Sequence, residues 1–163
     1  MNWLGQLCQK YIGEDDTVLD LGCGIMQATD DLKCKSILGC DIWHSYLAHI
    51  KHLHPTVRMG MDETWRFVDG SFDVVICLDV VEHLPKELAL EVINECKRIC
   101  RKHAIIFTPE TFKDNKESIN DAWGLSVNHL QEHKCLITKQ ELRNANYHLD
   151  MNGEEGLLGI YDR

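Results

Sequence analysis

Short apolar runs alternate with longer amphipathic stretches along this chain, and that alternation confines it to βαβ folds with a largely parallel sheet. The clearest run is Phe72–Leu78 (FDVVICL), fed by the turn Asp69-Gly70-Ser71. Thr17–Leu21, Ser36–Asp41, Thr56–Met59 and His103–Thr108 read as further strands. Between them the spacing predicts helices over 3–12, 25–33, 44–53 and 86–101, the last with Leu88, Val92, Cys96, Ile99 and Cys100 on one face. His54-Pro55 stops the third of these, and Pro85 suits the first turn of the fourth. Thr138, with Glu141 three residues on, forms a capping box that opens a helix to about Asn146. Tyr147–Asn152 and Gly156–Tyr161 then pair as a closing antiparallel hairpin, which makes seven strands. With no internal repeat or linker, residues 1–163 are read as one domain and 109–137 as an irregular insertion on one rim.

A chain of 163 residues buries about 70% of its unfolded surface and needs no covalent staple. Its eight cysteines contain no C-x-x-C pair and are read as reduced structural thiols, not as a disulfide framework or zinc site. No apolar run approaches the roughly 18 residues of a membrane span. The first residues, MNWLGQ, have neither the basic flank nor the apolar core of a signal peptide, so a cytoplasmic protein with no membrane partner is expected. A formal charge of −9 disfavours a nucleic-acid partner; the basic segments Lys97-Arg98 and Arg101-Lys102 would supply only part of a face for one.

The segment Val18-Leu19-Asp20-Leu21-Gly22-Cys23-Gly24 is a strand running into a Gly-x-Gly turn. Such a turn lets a ligand approach the backbone, and a helix after it offers free N–H groups. A dinucleotide turn would have Gly or Ala where Gln27 stands, and no Gly-Lys-Ser/Thr follows for a P-loop. Asp20 decides the sign of the ligand. A carboxylate 4 Å from a phosphate costs up to about 4 kcal/mol at an effective dielectric of 20, whereas it suits a ligand carrying an ammonium and a sulfonium. S-adenosylmethionine has both. Asp41 ends the second strand 21 residues later, where an acid can accept both ribose hydroxyls; a helix cap ahead of residue 44 is its other reading.

Together VLDLGCG, the acid of GCDIW and DGSFDVVICLDVVEHLPKE resemble class I S-adenosylmethionine-dependent methyltransferases, and within them the small "type 11" group. The resemblance spans roughly residues 15–108. It implies a Rossmann-like α/β fold with helices on both faces of the sheet, and S-adenosylmethionine as cofactor. By position it implies that Asp20, Gly22, Cys23 and Gly24 line the methionine end and that Asp41 holds the ribose, with Ile42 against the adenine. Met61, Asp62 and Glu63 fall where an acid meets the adenine amino group, and Leu78 would offer its carbonyl to the ammonium. The family often has a third glycine where this chain has Met26.

Methyl transfer from a sulfonium is an in-line displacement, and it needs a base only if the acceptor must lose a proton. Asp79 and His83, just after the fourth strand, and His133 in the rim segment NHLQEHKC are the candidate catalytic residues. His83 reads equally as a structural part of the strand-to-helix turn. His129 and His133 stand four apart, but without Glu at the intervening position the zinc-protease signature fails, and no metal is expected. The histidines at 44, 49, 52 and 54 read as a solvated face. Trp65 reads as a core or rim anchor and Trp123 as a substrate contact. The expected activity is methyl transfer to a small-molecule or sugar-like acceptor, with a homodimer mate or partner subunit closing an open cleft. A non-catalytic scaffold that keeps the fold is the alternative, and Met26 is the feature that favours it.

Overall fold

The computed structural model describes residues 2–115, 123–125, 127–150 and 156–163. Seven strands form a single sheet: β1 (Thr17–Leu21), β2 (Ser36–Asp41), β3 (Thr56–Arg58), β4 (Phe72–Leu78), β5 (Cys100–Pro109), β6 (His148–Leu149) and β7 (Gly156–Asp162). Their order across the sheet is β3-β2-β1-β4-β5-β7-β6. β1 to β5 are mutually parallel, and β7 inserts antiparallel between β5 and β6. The chain leaves β1 toward β2 and returns to β4 on the other side. This reversal opens a crevice at the carboxyl ends of β1, β2 and β4, where open α/β sheets bind ligands.

Side-chain alternation divides the core. Leu19 and Leu21 of β1, with Val75 and Cys77 of β4, face α3 (Lys86–Ile99) and α4 (Lys139–Asn144). Val18, Val74 and Ile76 point oppositely, toward α1 (Trp3–Gln9) and α2 (His44–Ile50). Helices thus cover both faces, and α3 presents Val92, Ile93, Cys96 and Ile99 to the sheet. Thr138 and Glu141 form the expected capping box of α4. All eight cysteines are free, and all but Cys34 are buried; burial raises the Cys8 and Cys40 thiols to about 12, so they serve as apolar filler.

Several expected bounds move. α1 and α2 stop at Gln9 and Ile50, β3 stops at Arg58, and Cys100 opens β5 instead of closing α3. The closing hairpin pairs His148 with Ile160 and Leu149 with Gly159, and its turn lies outside the described residues, as do 116–122 and 126 of the rim insertion. The larger correction concerns 25–33, which is a series of turns and no helix. Met26 sits at φ 58°, which an α-helix forbids, and the Thr29 hydroxyl donates to Asp20 Oδ2 at 2.6 Å. Trp65 is 70% exposed beside Arg66, so it is no core anchor. His44, His49 and His52 are exposed as expected, while His54 meets Asp30.

Candidate active site

The glycine turn after β1 spends its own amides. Gly22 and Cys23 both donate to Cys40 O, at 2.7 and 2.9 Å, Gly24 donates to Asp41 Oδ2 at 2.9 Å, and Met26 donates to Cys23 O at 2.7 Å. A phosphate would find none of these four N–H groups free, and no helix N-terminus follows the turn. What the turn does supply is space. Gly22 and Gly24 have φ of 73° and 53°; a Cβ on Gly22 would overlap both methyls of Val80, and one on Gly24 would lie 2.8 Å from the Trp123 ring. Met26 takes the same left-handed conformation without glycine, and its sulfur turns toward Gly39 of β2, in the core.

Carboxylates line the crevice. Asp20 is 2% exposed, and burial pushes it up to about 7 despite the Thr29 hydroxyl. Asp41 is likewise raised by burial, and it accepts from Trp43 N at 2.7 Å as well as from Gly24 N. It does not cap α2, whose N-cap is Trp43. Asp79 sits at φ 52° immediately beyond β4. Burial raises both Asp79 and Glu82 above the usual carboxylate range, and the two carboxyls share a hydrogen bond. Thr108 of β5 donates to Glu82 Oε2 at 3.1 Å, and the Glu82 carbonyl accepts from Lys134 N and Cys135 N, tying the rim segment to the turn after β4.

Two cavities open on this crevice and share Gly22, Asp41, Asp79 and Gln131. One, of about 280 Å³, runs along Asp20, Cys23, Gly24, Leu78 and Trp123. The other, of about 260 Å³, is walled by Ile42, Met61 and Asp62 on one side and by His83, Leu84, Leu88 and Leu130 on the other. Of the residues expected to hold a cofactor, only Glu63 lies off both walls; its carboxylate accepts from Gly60 N and pairs with Arg66. Trp123, expected as a substrate contact, lines the first cavity at its Gly24 end, against Gln27 and Tyr46. His83 lines the second cavity, and burial lowers its imidazole to about 4, so it is neutral; its Nδ1 lies 3.3 Å from Glu132 O. His133 stands behind it, ring centroids 5.0 Å apart.

Glu82, Thr29, Thr108 and Gln131 were missed from the sequence. Thr29 and Thr108 act through tertiary contacts across 9 and 26 residues, which no local pattern encodes. Three of the four basic residues are paired with acids: Arg98 with Asp69 and Glu95, Arg101 with Asp73, and Lys102 with Asp16, while Lys97 donates to the Ala145 carbonyl. Among the described residues no helix is long and apolar enough to cross a membrane.

Comparison with known proteins agrees with this architecture. The methyltransferase-domain family (Methyltransf_11) matches residues 19–108. A ubiquinone biosynthesis O-methyltransferase of Pseudomonas paraeruginosa is 31% identical over 102 residues, 56% of this chain and 42% of that protein. The chain thus spans about two fifths of the length of the curated relatives it matches. An S-adenosylmethionine-dependent methyltransferase of Methanosarcina mazei superposes with a TM-score of 0.67 at 18% identity, covering 96% of both chains. Magnesium protoporphyrin IX methyltransferase of Synechocystis, crystallised with S-adenosylhomocysteine, gives 0.63 at 17% identity over 91% of this chain and 74% of its own. The chain belongs to the methyltransferase-domain family and has the Rossmann-like fold of the S-adenosylmethionine-dependent class I methyltransferases.

Proposed function

We propose that the crevice binds S-adenosylmethionine and that the chain methylates an oxygen of a small, largely apolar acceptor. The observation that carries this reading is the junction of the two cavities at Gly22, Asp41, Asp79 and Gln131, which gives one cleft with acids along its length and an apolar wall beyond. The donor set fits the cofactor. The turn's amides are consumed, so an anion is not served, while Asp20 and the Leu78 carbonyl suit an ammonium and Asp41 suits two ribose hydroxyls. Ile42 and Met61 provide the adenine slot and Asp62 its polar edge. Asp41 keeps lone-pair capacity beside its backbone contacts to Gly24, Ile42 and Trp43.

When bound, the cofactor supplies a sulfonium methyl whose S–C bond breaks as the C–O bond forms in line, the electron pair leaving with S-adenosylhomocysteine. Holding the acceptor on that line is worth about 7–11 kcal/mol of barrier. Asp79 lies at the junction and takes the acceptor's hydroxyl proton. Leu84, Leu88 and Leu130 hold the acceptor's apolar body, with His83 at its edge and His133 behind. Oxygen is favoured by the names of the Pseudomonas relatives and by the absence of Asn/Asp-Pro-Pro-Tyr/Phe after β4. The acid-paired Arg98, Arg101 and Lys102 and the charge of −9 favour a small acceptor over a nucleic acid.

Titration calorimetry tests the cofactor half: saturable heat with S-adenosylmethionine is expected, and silence at millimolar cofactor would leave a non-catalytic scaffold. Release of S-adenosylhomocysteine on incubation with fractionated metabolites tests the chemistry. Asp79→Asn keeps cofactor affinity and lowers turnover by about 10²–10⁴-fold if Asp79 is the base.

A further inference from the structure

Glu82, His83 and His133 each offer one ligand atom, and these atoms all lie within 4.8 Å of one another. No other such group of three occurs among the described residues. The three come from two distant places in the chain, the short helical turn Val81–His83 after β4 and the rim segment near residue 133. Backbone bonds from Lys134 and Cys135 to the Glu82 carbonyl bring them together. Glu82 is buried and the two imidazoles are half-buried, so this is no chance group of exposed side chains.

Each member also has the outer partner that a ligand needs. His83 sets its ring against the Glu132 and Gln131 backbone, with Nδ1 3.3 Å from the Glu132 carbonyl. His133 has a backbone partner in Lys113. The Thr108 hydroxyl orients the Glu82 carboxylate. Ligating histidines are commonly fixed by a second hydrogen bond in this way, and two histidines with one carboxylate form the donor set of open zinc and non-haem iron sites. Asp79 touches Glu82, so a cation here would also relieve two buried carboxyls held side by side.

We propose that Glu82, His83 and His133 bind a divalent first-row transition-metal ion of the zinc class, its open positions facing the cavity that His83 lines. The site goes beyond the methyl-transfer reading, and rests on that reading only in the role it suggests: the ion would receive the acceptor's oxygen and lower its proton affinity. Two imidazoles select zinc, cobalt or iron over magnesium or calcium.

The test uses metal-stripped full chain and Co²⁺ or Zn²⁺ alone, read by cobalt visible absorption and by calorimetry. One ion per chain is expected, with affinity falling at least about tenfold in His83→Ala and in His133→Ala and about tenfold or more in Thr108→Val. His129→Ala, exposed on the same rim, leaves binding unchanged. Should Glu82→Gln fail to fold, the half-buried His133 carries the test, with circular dichroism confirming its fold. No stoichiometric binding overturns the site, as does binding that survives both histidine substitutions or shows a thiolate-to-cobalt band. Cofactor calorimetry on the stripped protein is independent: loss of cofactor binding with intact metal binding would count against the methyl-transfer reading alone.

Discussion

Asp41, at the end of β2, accepts the backbone N–H of Gly24 at 2.9 Å, so the acid assigned to the ribose also anchors the glycine turn across from it. Its other oxygen takes the N–H of Trp43 at 2.7 Å. Asp41→Ala therefore orphans two amides, that of Gly24 buried and that of Trp43 half-buried. A loss of about 1–3 kcal/mol per amide is expected in urea unfolding, together with at least about a tenfold loss of cofactor affinity. Unchanged affinity would remove the ribose assignment.

Gly22 needs both its positive φ and its missing side chain. Gly22→Ala faces Val80 and a left-handed backbone, the latter costing about 1–2 kcal/mol by itself. Pairing it with Val80→Ala relieves the overlap and leaves the backbone cost. A double-mutant cycle measured by denaturation should thus show favourable coupling; strict additivity would mean that the turn yields elsewhere.

At Met26 the two terms oppose one another. Met26→Gly relieves about 1–2 kcal/mol of left-handed strain but removes a side chain that is 1% exposed, a change worth about 2–5 kcal/mol in other cores. Net destabilisation is expected, measured by denaturation, although Met26 also borders the Asp20–Gly24 cavity. A higher melting temperature would show that strain dominates.

Asp20 makes stability depend on pH in an unusual direction. Because burial raises its carboxyl to about 7, the folded chain holds this proton where the unfolded chain has released it. Its contribution is therefore full below the ordinary carboxylate range, falls as pH climbs from about 4 to about 7, and is level above; the ceiling is on the order of 4 kcal/mol. Asp20→Asn should flatten that slope and unfold later than wild type at pH 8. A cationic ligand favours the ionised acid, so cofactor affinity in the wild type should rise with pH across the same window, and Asp20→Asn should lose both the affinity and its slope.

The strands were readable because their alternation is local: each of β1, β2 and β4 shows its apolar run in five to seven consecutive residues. The acids of the crevice were readable because they stand at strand ends, which the topology brings to one edge. Residues 25–33 were not. Met26 is a good helix former by composition, and its left-handed φ follows from its place against Gly39, fixed by tertiary packing. The same holds for Glu82: beside His83 it looks like turn chemistry, and only the fold brings His133, fifty residues on, within reach.

Trp123 closes the Gly24 end of the crevice, edge-on to Tyr46 at 4.7 Å and against the bare Cα of Gly24. Any molecule entering that end must touch the indole or displace it. The protein therefore carries its own optical gauge of occupancy: emission from Trp123 will change as the crevice fills, a signal isolated by replacing the partly buried Trp43 with Phe, while the exposed Trp65 holds a steady background.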